Sequence, residues 1–378
     1  MAENSSIEWC DHTFNPWRGC TKISKGCELC YAAREAKRFP NIRGIWGDRG
    51  TRIVAVPSAW KAPVKWNRAA ERRESAWHLH VELCRQSGMT EAEAAEDWVR
   101  RGEAPWHRPR VFCASLADVF EDWKGELRFP ADIAPDGYVR ARWDGQQIVR
   151  EFEASADQQG LALATMDNAR EELFRLIEAT PYLDWLLLTK RPENVMLMVP
   201  EHWREAFPPN VWMGTTVETQ DMANKRIPEL LKIPAKVRFL SCEPLLGPVD
   251  FRIVPGFNKA GSSGRAILNH LWIIAGGESG PQARPMHPDW ARSLRDQACN
   301  AGVPFLFKQW GEWAPSDFQG GPAIPGCKVR KILNLGRDGI NNATRDMWPP
   351  GNGCMQLIGK KAAGRLLDGQ EWNEFPKP

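Results

Sequence analysis

The sequence predicts an α/β fold: a partial or near-closed (β/α) barrel of six to seven parallel strands, with a helical insertion, a β-hairpin excursion and a C-terminal cap. Three observations carry this expectation. Short apolar, β-branched runs recur through the C-terminal two thirds of the chain, helix-like segments separate several of them, and every run ends in a polar or glycine-rich turn. Strands covered on both faces of a parallel sheet read as unbroken hydrophobic runs. The polar turns matter because α/β proteins place their chemistry at the carboxyl ends of successive parallel strands.

In chain order, IEWCDHTFNP is expected to give the first strand and leads into a cysteine-bearing loop. Residues 41–109 follow as a helical insertion, NRAAERRESAWHLHVELCRQ and then TEAEAAEDWVRRG, where Thr90 and Glu93 have the spacing of a capping box. The barrel runs are VFCAS (Val111 to Ser115), WLLLT (Trp185 to Thr189), VWMGT (Val211 to Thr215), VRFLS (Val237 to Ser241), LWIIA (Leu271 to Ala275) and PFLFK (Pro304 to Lys308). From WLLLT onward they are spaced by roughly 25 to 35 residues, the length of a βα repeat. Residues 130–165 interrupt the rhythm, and YVRARW and QIVREF around a DG turn predict a β-hairpin there. NAREELFRLIE places Ala169, Leu173, Leu176 and Ile177 on one helical face, and PDWARSLRDQA does the same with Trp290, Leu294 and Ala298. Beyond Trp313 the chain turns rich in Gly, Pro and isolated charges. The expected organisation is one barrel domain over 1–315, with insertions at about 41–109 and 130–165, and a cap over 316–378 packed on it.

The 378 residues, 43% hydrophobic and 26% charged, suit a soluble globular protein with a sizeable core. The formal charge of +3 permits an anionic partner without demanding one. MAENSSIEW lacks the basic-then-apolar pattern of a signal peptide, and no run of apolar residues is long enough to span a bilayer. Ten dilute cysteines are not a disulfide scaffold, so a cytoplasmic, reducing setting is expected. Tryptophan is over-used, at 19 residues, and Trp17 and Trp310 lie beside polar motifs as candidate pocket walls. The sequence carries no GxGxxG fingerprint, phosphate loop or HExxH motif. His78 and His80, two apart on a helix, point away from one another, and the histidines compose no metal centre in the sequence.

The densest chemistry is TFNPWRGCTKISKGCELCYA, with Cys20, Cys27 and Cys30 within eleven positions. One CxxC pair with a third cysteine upstream, and Cys10 or His12 near enough to complete a tetrahedron, is compatible with zinc. Three thiolates also suit iron in a [4Fe–4S] cluster, leaving one iron without a protein ligand.

Together with LADVF (116–120), LLTKRPEN (187–194), NVWMGTTVE (210–218), RFLSCEPLLGP (238–248), IIAGGESGPQARPMHPDW (273–290) and VPFLFKQWGEW (303–313), this segment resembles the phage and bacterial three-Cys-motif family, of the phage gene product 37/68 type. That family is similar to radical S-adenosylmethionine (radical SAM) enzymes. The resemblance implies a [4Fe–4S] cluster on Cys20, Cys27 and Cys30, S-adenosylmethionine on the open iron, and reductive cleavage to a 5′-deoxyadenosyl radical that abstracts hydrogen from a substrate. One departure is visible: six residues separate Cys20 from Cys27, where radical SAM enzymes space their cysteines CxxxCxxC.

On that reading Tyr31 packs near adenine, and Asn15 and Arg18 face the cluster or the SAM carboxylate, or else form turns. Asp118 holds a ribose hydroxyl or the SAM ammonium, or caps a helix. Lys190 and Arg191 suit a carboxylate or phosphate of cofactor or substrate. Glu218, Glu243 and Glu278, each just beyond an apolar strand, bind donors or carry protons, or bond backbone in their own loops. Lys308 ends an apolar strand, so a partner such as Glu278 or a bound anion is expected. The implied partners are a small molecule or nucleotide, a nucleic acid as a further candidate through Arg68, Arg72, Arg73 and Arg85, and an external electron donor. The competing expectation is a zinc-stabilised barrel or nucleic-acid-binding protein with a four-cysteine or three-cysteine-one-histidine site and no SAM chemistry.

Overall fold

The computed structural model describes residues 3–39, 44–125, 127–128, 140–143, 148–151, 165–255, 271–316, 328–338 and 353–376. Seven strands form one all-parallel sheet in which neighbours in sequence are neighbours in space: β1 (His12–Thr13), β2 (Arg110–Cys113), β3 (Asp184–Thr189), β4 (Val211–Thr216), β5 (Val237–Cys242), β6 (Leu271–Gly276) and β7 (Phe305–Gln309). The sheet curls into an open half-barrel, and each of the six expected apolar runs supplies one of its strands.

Alternation along the strands divides the core in two. One side chain in two faces outward under the helices: Trp185 and Leu187 on β3, Val211 and Met213 on β4, Ile273 on β6 and Phe305 on β7. These meet α4 (Met166–Glu178), α5 (Gln220–Leu231) and α6 (Pro288–Ala301) through Leu173, Ile227, Leu294 and Ala298. The intervening residues fill the concave side, where Trp9, Phe112, Leu186, Trp212, Phe239 and Trp272 pack together. A Cβ at Gly214 would stand 2.3 Å from the Phe239 ring, so the absence of a side chain there is what lets Phe239 occupy the concave side.

The remaining elements sit around this sheet. α1 (Tyr31–Arg38) leaves the cysteine loop, and α2 (Pro57–Gln86) and α3 (Glu91–Arg100) form the helical insertion. The capping box at Thr90 and Glu93 is present in both directions. Arg140–Trp143 pairs antiparallel with Ile148–Glu151 as the β-hairpin, in a five-stranded side sheet; its DG turn lies outside the described residues. A three-stranded antiparallel sheet of Trp313–Pro315, Gly353–Leu357 and Ile332–Leu335 forms the C-terminal cap.

Residues 372–374 then run antiparallel along the free edge of β7, with Phe307 N–H donating to Trp372 O at 3.0 Å and Glu374 N–H to Phe305 O at 3.1 Å. An uncovered edge is a template for foreign strands, and this segment covers it. Phe375 continues to the base of the half-barrel, its ring 5.0 Å from Trp272 and 3.8 Å beneath the Arg110 guanidinium. Among the described residues no helix is long and apolar enough to cross a membrane.

Candidate ligand-binding site at the mouth of the half-barrel

The carboxyl ends of the strands enclose a cavity of about 510 Å³, within the range that small-molecule sites occupy. The inward alternation of each strand continues into its loop and delivers Lys190 after β3, Glu243 after β5, Glu278 after β6 and Lys308 on β7. Trp9, Phe112 and Leu188 form an apolar wall, and Tyr31 and Trp46 add two aromatic side chains. Trp17 and Trp310 are not part of the wall; both are buried in the outer core.

The three carboxylates that line the cavity are already spent. Asp118 accepts hydrogen bonds from the Thr189 hydroxyl at 2.7 Å, the Phe120 N–H at 3.1 Å, the Lys190 N–H at 3.1 Å and the Arg191 guanidinium at 2.8 Å. It is therefore the knot that ties the β2 loop to the β3 loop. Glu243 receives Lys308 Nζ at 2.9 and 3.1 Å and the Gln309 amide at 3.3 Å. The partner of Lys308 is thus Glu243, not Glu278. Burial alone would drive the proton off Lys308, but the Glu243 charge and hydrogen bond outweigh it and raise its pKa. Glu278 is held by Arg284 through the backbone N–H at 2.9 Å and the guanidinium at 2.7 and 2.9 Å, and Arg284 reaches on to Glu28 and to Lys25 O of the cysteine loop.

Several expected site residues belong to the scaffold. Glu218 turns away from the cavity and is fully buried against Arg226 of α5 at 2.8 Å, with Gly26 N–H directed at it from 3.4 Å. Asn15 pins the turn after β2, accepting from Leu116 N–H at 2.7 Å and donating to Ser115 Oγ at 3.0 Å. Arg18 stands on the strand Trp17–Arg18 of the side sheet. The Tyr31 hydroxyl donates to Ser115 O at 2.7 Å while its ring stays half exposed at the cavity. Arg191 points outward, bonded to Asp118 and to Thr21 O at 2.9 Å.

What remains in the mouth is positive. Lys22, Arg34, Lys190 and Lys360 line the cavity with no carboxylate within ion-pair distance among the described residues. Among the described residues Lys190 Nζ donates only to the Thr216 hydroxyl, at 3.2 Å. Arg34 lies across Gly280, whose φ of +100° and lack of a side chain allow the approach: a Cβ there would stand 2.4 Å from the guanidinium.

The cysteine loop does not gather its sulfurs. Among the described residues, the one set of three or more His, Cys, Asp or Glu ligand atoms lying within 4.8 Å of one another is His80, Cys84 and Asp97, far along the chain from the loop. Each loop cysteine has its own surroundings instead. Cys20 is pushed up to about 12 by burial and by the nearby Asp118 and Glu121, against the pull of Arg191 Nη1 at 3.7 Å from its sulfur. Burial also works on Cys27, but the Lys190 ammonium, backbone N–H groups and the Ser24 hydroxyl overcome it and hold its thiol below the ordinary value. Cys30 stands at the N-cap of α1. Neither candidate fourth ligand turns toward the loop: the Cys10 thiol donates to Ser5 Oγ at 3.5 Å, and the His12 ring stacks on Trp66 at 4.3 Å.

These findings overturn the iron–sulfur expectation. A three-cysteine [4Fe–4S] site on Cys20, Cys27 and Cys30 is not formed, and with it fall S-adenosylmethionine as cofactor, radical SAM chemistry and the corresponding enzyme class. The donor set that does converge is mixed, one imidazole, one thiol and one carboxylate, which does not suit such a cluster. The sequence signal for it is the four-residue spacing of His80 and Cys84, which places both on one helix face, whereas His78 and His80 diverge.

The fold and site define a half-barrel with a cationic, aromatic-walled mouth. The chain belongs to the family described as Protein of unknown function (DUF5131), which matches residues 4–127 and 146–376. This match replaces the resemblance to the phage gene product 37/68 type and to radical SAM enzymes. Comparison with curated proteins and with solved structures gives no match.

Proposed function

We propose that the mouth of the half-barrel binds a nucleotide-class small molecule, its phosphate on Lys190 and the neighbouring cations and its base against the aromatic wall. The observation that carries this reading is the charge balance. Among the described residues, every carboxylate lining the cavity is consumed by an ion pair, while Lys22, Arg34, Lys190 and Lys360 are not matched by one. A cavity with surplus positive charge and aromatic side chains accommodates an anion attached to a flat, weakly polar body. The mechanism of recognition follows from position. Lys190 is directed inward by the strand alternation and is tethered only by a neutral hydroxyl, so its ammonium is free to exchange that contact for a phosphate oxygen.

Cys27 lies beside this cation and is the thiol whose reactivity a bound ligand should alter. Thiols of this kind persist in a reducing compartment, which favours a cytoplasmic setting. No electron donor enters the reading. A nucleic acid is less well supported, because Arg73 is tied to Ala104 O and stacked over Trp106, and Arg85 is paired with Glu82.

The test is calorimetric titration with the four common ribonucleoside monophosphates, each beside its nucleoside. At least one monophosphate should bind saturably, about tenfold or more tighter than its nucleoside, as expected when charge-assisted hydrogen bonds of about 1.5–3 kcal/mol are at stake. Lys190→Met should abolish that preference. No binding by any monophosphate, or equal binding by nucleoside and nucleotide, overturns the proposal.

A further inference from the structure

The helical insertion contains a small core of its own. Trp77, Ala94 and Trp98 are buried where α2 and α3 face one another, with Trp77 and Trp98 edge to face at 5.5 Å, yet none of them belongs to either of the two large apolar clusters of the half-barrel. Trp98 anchors the return of the chain by donating to Ala104 O at 3.0 Å. An apolar cluster this small gives little stability to an antiparallel helix pair, and small units of this kind are commonly stapled by a metal.

At the end of that core three ligand types converge. His80 and Cys84 are four residues apart on α2 and so share a face one turn apart. Asp97 faces them from α3. His80 Nε2 lies 3.5 Å from Cys84 Sγ and 3.7 Å from Asp97 Oδ2, and all three ligand atoms fall within 4.8 Å of one another. Around tetrahedral zinc, bonds of about 2.0–2.3 Å to nitrogen, oxygen and sulfur place such atoms about 3.4–3.6 Å apart. The imidazole and thiol are buried, and the carboxylate is at the rim, 18% exposed, where a solvated cation can enter.

We infer that His80, Cys84 and Asp97 form a zinc site that staples α2 to α3. His80 Nε2–H donates to Ala94 O at 3.0 Å, so the metal takes the place of that proton, and Ala94 O and solvent are the groups that can complete the coordination. Arg101 holds Asp97 Oδ2 at 2.7 Å and orients the carboxylate toward the pair, as hydrogen-bonded neighbours do for metal ligands. The site is independent of the ligand proposed for the barrel mouth.

The experiment uses the whole chain, stripped of metal and titrated with Co²⁺ and then Zn²⁺. One equivalent of Co²⁺ should produce thiolate-to-cobalt charge-transfer absorption and the visible bands of a tetrahedral centre, both erased by stoichiometric Zn²⁺. Cys84→Ser should abolish the charge-transfer band, and Asp97→Asn, a near-isosteric change at the rim that leaves the core intact, should weaken binding at least about tenfold. Cys27→Ser should leave the spectrum unchanged. The inference is overturned if no thiolate band appears, if it survives in Cys84→Ser, or if it disappears in Cys27→Ser.

Discussion

The two ends of the half-barrel use charge for different purposes. At the base, Asp11 accepts from His107 at 2.9 Å and from Arg110 N–H at 2.8 Å, Arg110 covers the Phe375 ring, and the space between is filled by apolar side chains. At the mouth, carboxylates are matched just as fully, yet a cavity is left and cations remain without acidic partners among the described residues. The comparison teaches a way to sort polar residues at strand ends. A charge consumed by its neighbours holds the scaffold, and a charge left over against open space is where the proposed ligand would sit.

Four measurements test that distinction. The largest effect is expected from Glu218→Ala, which strands Arg226 in a dry site; removing one partner of a buried pair costs about 3–5 kcal/mol, to be read from urea unfolding. A loss below about 1 kcal/mol would show that Glu218 is not part of the scaffold. Phe375→Ala should follow at about 1–3 kcal/mol, since the ring is only partly covered, and it should leave ligand binding at the mouth unchanged.

Asp11→Asn comes third, with a signature in pH. Burial works to raise the Asp11 pKa, but His107, Arg110 and their hydrogen bonds hold it down at about 2. A carboxylate depressed below its unfolded value contributes stability above about pH 4 and loses it as pH falls toward 2. The contribution is about 1–2 kcal/mol after allowing for solvent screening at a partly exposed group. Wild type and Asp11→Asn should therefore differ at pH 6 and converge near pH 2; a constant difference across that range would show a role other than charge. The smallest stability effect, below about 0.5 kcal/mol, is expected from Lys190→Met. There the informative readout is Cys27: without the ammonium its thiol should rise toward the ordinary value, and iodoacetamide labelling at pH 7 should slow about three- to tenfold. Unchanged labelling would separate Lys190 from the thiol.

Six of the seven strands were legible because each is a short, mostly apolar run, a pattern set by burial on both faces. The position of the mouth was legible too, because the polar turns follow those runs. Alternation also separates two adjacent cations: Leu186, Leu188 and Lys190 fall on one side of β3, so the inward residue is Lys190 and the outward one Arg191. Glu218 escapes even this rule. It stands in step with Trp212 and Thr216 but is turned outward to Arg226, with Leu246 N–H of the loop after β5 donating to Glu218 O at 2.8 Å, a contact between loops that no local pattern encodes. The cysteine loop misled for a related reason. Spacing shows how close thiols are along the chain, whereas Arg191, Ser24 and the start of α1 decide where each sulfur lies.

Phe375 also orders the birth of the molecule. A polypeptide is made from its N-terminus, so β1 and β2 exist long before residue 375. Until then Trp272 and Arg110 lack the ring that caps them, and the edge of β7 lacks its covering segment. A chain halted or cut before residue 372 would carry all seven strands of the sheet together with a bare edge, the form from which strand-to-strand association between copies begins.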